Sequence, residues 1–210
     1  MTTNPVTRVL LLRHAETAAP EVFHGAESDI GLSLRGFRQA QALAPILAAE
    51  RPAAVVSSGM RRAIDTATPI AAACGVPLHV EPLLHERRVG GLSGRAFGAA
   101  PWPETLRRWM AGETGYAPDE HAESFDAVRD RVLPVWHRLA AQYAGQTYVV
   151  VAHGVVNKVI LCSLGAGLGP ADWNSFRGLN LAIHELVCEH RHWRIIRLAE
   201  LPAVLREPGA

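Results

Sequence analysis

Three runs of consecutive apolar residues, at positions 9–12, 53–56 and 148–152, each end on polar residues. The first leads into Arg13-His14, the second into Ser57-Ser58 and the third into His153-Gly154. None alternates between apolar and polar positions, so each fits a strand buried on both faces of a parallel sheet. Helical spacing fills the intervals. Ser33 is placed as the N-cap of a helix carrying Leu34, Phe37, Ala40, Leu43 and Leu47, with Pro45 leaving its end open. A second helix is expected over residues 60–73, closed by Gly75. The clearest stripe starts near Ser124, where Phe125, Val128, Val132, Val135, Leu139 and Tyr143 recur three and four apart, with Pro134 expected to bend it. A fourth helix runs from Gly154 to about Leu164 and is ended by Gly165, Gly167 and Gly169. Residues 182–188 and 193–198 flank a polar turn and predict an antiparallel hairpin. The alternation of strands and helices predicts an α/β fold: a three-layer α/β/α sandwich with a mostly parallel central sheet and an antiparallel edge.

Residues 90–122 break this rhythm with six glycines, three prolines and two tryptophans. A stretch of that kind between regular elements predicts a functional loop or a small cap on a single domain spanning residues 1–210. The 210 residues are 49% apolar and 20% charged, which excludes disordered and fibrous classes. The apolar runs are far shorter than the ~20 residues of a membrane span, and the polar residues 1–8 do not read as a signal peptide. A net charge of +1 gives no basic field for a nucleic acid. Lys158 is the single lysine among 21 cations, so positive charge here means arginine, with its forked donors for carboxylate and phosphate. Cys74, Cys162 and Cys188 show no CxxC spacing and fit a reducing, cytoplasmic setting, and the ten histidines form no HExxH or Cys/His pattern, so no metal is expected.

Ligands of open α/β sheets bind beyond the carboxyl ends of the strands. That rule gathers Arg13-His14, residues 57–62 and His153-Gly154 around one crevice. A lone histidine after a strand is usually a satisfied polar residue. Two of them, joined by arginines and followed by helix N-termini, suit a phosphoryl group: guanidinium forks hold its oxygens and an imidazole can attack phosphorus.

These segments resemble the histidine phosphatase superfamily, which includes the cofactor-dependent phosphoglycerate mutases. Leu12-Arg13-His14-Ala15-Glu16-Thr17 resembles its Leu-Arg-His-Gly-Glu-Thr signature, with alanine for glycine. Ser57-Ser58-Gly59-Met60-Arg61-Arg62-Ala63 resembles its Ser-Ser-x-Leu-x-Arg-Ala block. Leu84-His85-Glu86 with Gly90, Gly91 and Gly94 resembles the segment bearing the acid, and Val151-Ala152-His153-Gly154 the late histidine motif. The match runs from about residue 8 to 165.

The resemblance implies that His14 accepts the phosphoryl group, that Arg13, Arg62 and His153 clamp its oxygens, and that Glu86 donates the leaving-group proton and then activates water. Arg61 and Arg62 point ~100° apart on a helix, so one faces the phosphate, and the motif register selects Arg62. Glu16, His24 and Gly25 are expected at the pocket mouth, with Arg87 as a further substrate contact. Departures from the family pattern lie in Pro20, where many members have asparagine, in the segment from Arg87 to Gly94, and in His121-Ala122-Glu123-Ser124. The Glu-Arg-His-Tyr-Gly segment and longer insertion of the mutases are missing. The expectation is a metal-independent hydrolase of a small-molecule phosphomonoester, without cofactor, nucleic-acid or membrane partner, and with a homodimer admissible. A mutase would need a site more closed to water. A non-catalytic phosphate-binding module would not need the acid Glu86.

Overall fold

The computed structural model describes residues 6–206, so most of the polar stretch at positions 1–8 lies outside it. The three apolar runs become the middle of one six-stranded sheet. Its strands are β1 (Thr7–Arg13), β2 (Val55–Ser58), β3 (Leu78–Glu81), β4 (Thr147–Ala152), β5 (Ile183–Glu189) and β6 (His192–Glu200), in the order β3-β2-β4-β1-β5-β6. β1, β4, β2 and β3 are mutually parallel, and β5 and β6 form the antiparallel edge beside β1.

Helices α1 (Leu34–Ala49) and α2 (Arg61–Cys74) cover one face, where Leu10, Leu12, Val149 and Val151 meet Leu43, Leu47, Ala67 and Ile70. Helices α3 (Trp102–Met110), α4 (Phe125–Gln142) and α5 (Gly154–Ser163) are packed on the other, where Val9, Leu11 and Val150 meet Trp109, Val132, Trp136 and Ile160. Alternate residues of each run therefore feed two separate cores, which is why the runs are unbroken in sequence. Ser33 and Ser124 cap α1 and α4 by accepting the Gly36 and Ala127 amides. Gly75 closes α2 at φ +66°, a left-handed conformation that favours glycine. Pro45 and Pro134 lie inside α1 and α4 without ending either helix.

Two elements depart from the sequence expectation. β3 is a half-exposed, four-residue edge strand too short to leave a periodic signal. The segment 90–122 contains α3, which seats a fully buried Trp109 in the main core rather than standing free of it.

Candidate active site

The parallel strands end at one edge, and their register sets the site. Arg13 of β1 pairs with Ala152 of β4, so the next residues, His14 and His153, meet with ring centroids 5.2 Å apart. Ser57 of β2 pairs with Val151, which brings the Ser58 hydroxyl to 2.7 Å from His153 Nε2.

Each imidazole has its proton positioned by a neighbour. His14 Nδ1 lies 2.7 Å from the Ala15 carbonyl, which can only accept. The proton therefore sits on Nδ1, and Nε2 keeps a free lone pair. Burial, then the charges of Arg13 and Arg62, hold the His14 pKa well below the usual histidine range, so the ring is neutral. His153 is likewise held neutral by burial and by Arg62. Ser58 Oγ accepts the Met60 amide at 3.2 Å and lies 2.7 Å from His153 Nε2, to which its own hydrogen can be donated. That arrangement leaves the hydrogen of His153 on Nδ1, a buried atom without a protein partner.

The same histidines set an acid limit on stability. His14, His153 and His184, the last pulled to about 4 by burial, all titrate below 6.5 when folded. In the unfolded chain they bind protons near 6.5. Their contribution is therefore complete above about pH 7 and is lost as the pH falls towards their folded values, each steepening the decline by up to about 1.4 kcal/mol per pH unit. Urea unfolding at pH 7.5 and 5.5 checks this. The free energy should drop with acid, and drop less in His14→Ala. A flat wild-type profile would contradict it.

The arginines complete the surround. Arg13 donates through Nη1 to the Gly178 carbonyl at 2.7 Å, and its Nε is buried without a partner. Arg62 is fully buried, and its fork donates to the carbonyls of Ser28 at 2.7 Å, His24 at 3.1 Å and Gly25 at 3.3 Å. This corrects the expected two-handed grip on the phosphoryl group: the fork holds the 24–28 loop, and Nε is the donor left over. Around a neutral His14 there are thus three buried nitrogens, Arg13 Nε, Arg62 Nε and His153 Nδ1, with no partner among the described residues. Unpaired buried donors are costly, and all three belong to groups whose charge or ring reaches His14.

Glu86 stands beside this cage. Its carboxyl oxygens accept the Arg87 amide at 2.8 Å and the Val155 and Val156 amides of α5 at 3.3 and 3.4 Å. The helix that follows His153 therefore also anchors the acid. Arg13, His14, His24, Glu86 and Arg87 open onto a cavity of about 200 Å³ whose other walls include Val22, Phe23, Phe97, Trp102 and Trp173.

Two expected pocket residues lie elsewhere. Glu16 accepts the Ser33 hydroxyl at 2.7 Å and pairs with Arg35, so it braces the start of α1 and does not line the cavity. Gly25 offers its carbonyl to Arg62 and is packed so closely that a Cβ would lie 2.2 Å from the Glu27 carboxylate. His24 does line the cavity, with its ring held by Ser28 and the Ala19 carbonyl. Pro20 lines it too. The sequence reading missed Ser58 as the partner of His153, and Lys158, Gly178 and Asn180 as cavity residues. Asn180 donates to the His14 carbonyl at 2.7 Å. The one signal available was the isolation of Lys158 among arginines.

Arg61, by contrast, has a side chain 66% exposed beside Asp65. Arg62→Lys should lower kcat/KM about 100-fold, since lysine cannot hold three loop carbonyls and still present a side donor. Arg61→Lys should stay within about twofold of wild type, as surface substitutions do. Steady-state kinetics on both variants check the pair, and equal losses would contradict the placement.

A neutral histidine with a free Nε2, ringed by guanidinium and imidazole donors at the strand ends of an α/β sheet, defines a phosphoryl-transfer enzyme. The chain belongs to the histidine phosphatase superfamily, whose branch 1 family model matches residues 9–201. It is similar to the metal-independent phosphoserine phosphatase of Arabidopsis thaliana, 38% identical over 162 residues covering 74% of this chain and 67% of that protein. It is similar as well to the glucosyl-3-phosphoglycerate phosphatase of Mycolicibacterium vanbaalenii, 32% identical over 190 residues, 84% of this chain and 82% of that one. The chain spans about half the length, 46%, of a bifunctional Mycobacterium tuberculosis protein that it also matches. The solved structure of a mycobacterial glucosyl-3-phosphoglycerate phosphatase superposes with a TM-score of 0.79 at 27% identity, over 93% of this chain and 100% of that one.

Proposed function

We propose that the protein hydrolyses small phosphate monoesters in two steps through a phosphohistidine on His14, with no metal ion. The observation that carries this is the bond from His14 Nδ1 to the Ala15 carbonyl, which leaves Nε2 as a neutral nucleophile beside three unpartnered donors. In the first step Glu86 enters protonated, Nε2 attacks phosphorus, the ester P–O bond breaks, and Glu86 delivers its proton to the leaving oxygen. Arg13, Arg62 and His153 hold the equatorial oxygens as charge builds on them. In the second step Glu86, now a carboxylate, takes a proton from water as its oxygen attacks phosphorus. Inorganic phosphate departs and the neutral imidazole returns.

Names of relatives support this reading: both curated phosphatases described above are named for small phosphate esters, and one is named metal-independent. Among the described residues no cluster of three or more His, Cys, Asp or Glu side chains is placed to hold a metal ion, and the two arginines supply the positive charge. The three free cysteines support a reducing cytoplasmic location, and no described helix is long and apolar enough to cross a membrane.

Turnover of a panel of phosphorylated metabolites in the presence of EDTA tests the proposal. Hydrolysis should survive the chelator and be blocked by vanadate, which adopts the five-coordinate geometry of the transferring phosphorus. Activity lost in EDTA and restored by a divalent cation would overturn it.

A further inference from the structure

Arg87 is a cavity residue to which the two hydrolytic steps give no task. It is fully buried and lines the cavity. Its Nε donates to the Glu123 carbonyl at 2.6 Å, while Nη1 and Nη2 have no partner among the described residues. The rings of Trp102 and Trp109 lie 5.4 and 5.3 Å from its Cζ, fixing the guanidinium against apolar walls. Burial lowers its pKa to about 10, which leaves it a cation at neutral pH.

The carboxylates whose charge it feels are engaged elsewhere. Glu86 accepts backbone amides, and Glu123 holds Arg131. Glu27 accepts the Val89 and Gly90 amides, and Asp119 those of Gly91 and His121. A buried guanidinium with its terminal edge unpaired is therefore a second anion position, separate from the three donors around His14.

We propose that Arg87 reads a carboxylate on the alcohol half of the substrate, so that the protein selects short phosphate esters bearing a carboxylate close to the ester oxygen. The inference rests on the hydrolase reading of this cavity. With Nε occupied, the two terminal N–H groups form an end-on fork that fits both oxygens of one carboxylate. Its place along the cavity follows from Glu86. The charge of that group is felt by the Arg13 and Arg62 guanidinium groups at the phosphoryl end and by the Arg87 guanidinium at the other. The acid thus stands between the two anion positions, where the ester oxygen it protonates must lie. A cavity of about 200 Å³ falls below the ~300–1,000 Å³ of larger ligand sites and favours a short ester over a nucleotide.

The test compares O-phosphoserine with O-phosphoethanolamine, the same ester without the carboxylate, and uses p-nitrophenyl phosphate as a general substrate. Wild type should prefer phosphoserine by about 100-fold or more in kcat/KM, because the analogue leaves a buried cation unpaired. Arg87→Met should collapse that ratio, mainly through KM for phosphoserine. A wild-type ratio near one, or an equal loss for both esters in Arg87→Met, would overturn the inference. If p-nitrophenyl phosphate is hydrolysed while the ratio is near one, the subsite fails and the hydrolase reading stands. If no ester is hydrolysed, the hydrolase reading fails. Calorimetric titration of the two esters into wild type then decides the subsite, with equal affinities overturning it. If Arg87→Met does not fold, the wild-type ratio decides alone.

Discussion

His14→Ala should reduce hydrolysis of p-nitrophenyl phosphate to background, a loss on the order of 10⁴-fold or more, as expected when a covalent nucleophile is removed. The fold should persist. The His14 ring makes its hydrogen bond to the adjacent Ala15 carbonyl and sits at a strand end, outside both hydrophobic clusters. The backbone contacts that hold the site do not need the ring: Asn180 still donates to the His14 carbonyl, and Ala15 still donates to Thr66. Circular dichroism and thermal unfolding at pH 7.5 should therefore track wild type while activity vanishes. Turnover close to wild type in a folded variant would remove His14 from the chemistry.

Glu86→Gln separates an acid from a merely polar wall. Glutamine keeps the size and an acceptor for the local amides but can neither give nor take the transferred proton. An alkyl phosphate leaves as a basic alkoxide, so phosphorylation of His14 by such a substrate should slow by ~10²–10⁴-fold. A p-nitrophenolate leaving group hardly needs protonation, so the same step should be nearly spared. Dephosphorylation should slow in both cases, because water loses its base. Rapid-quench measurement of the first step with both substrates checks this. Equal slowing for the two leaving groups would move the acid elsewhere, with the buried Glu123 and the exposed Glu104 as the next carboxylates to test.

Much of this site was legible in the sequence because its principal residues follow strands that are unbroken apolar runs. Parallel register then does the rest: Arg13 opposite Ala152 makes His14 and His153 neighbours across a gap of well over a hundred positions. What stayed hidden depends on groups that any residue can supply. The 24–28 loop offers Arg62 three backbone carbonyls, which turns an expected fork on phosphate into a loop clamp. Gly178 and Asn180 enter from beyond the region of motif resemblance, one through a carbonyl to Arg13 and one through an amide to His14. Glu16 lies within the histidine signature yet turns back to Ser33 and Arg35, because a helix N-cap lay within its reach. α3 sets Trp102, Leu106, Trp109 and Met110 towards the core and Glu104, Arg107 and Arg108 outward, but it is only nine residues long and lies among glycines and prolines that hide so short a stripe.

The claim that joins these observations is that phosphate passes through the Nε2 atom of His14. Glu86→Gln mixed with p-nitrophenyl phosphate and quenched in alkali should accumulate protein carrying one phosphoryl group. Peptide mass spectrometry should place that group on His14, and brief acid treatment should release it. The adduct should be absent from the Glu86→Gln, His14→Ala double variant. A phosphoryl group on another residue, or continued turnover with His14 unmodified at every quench time, would contradict the account.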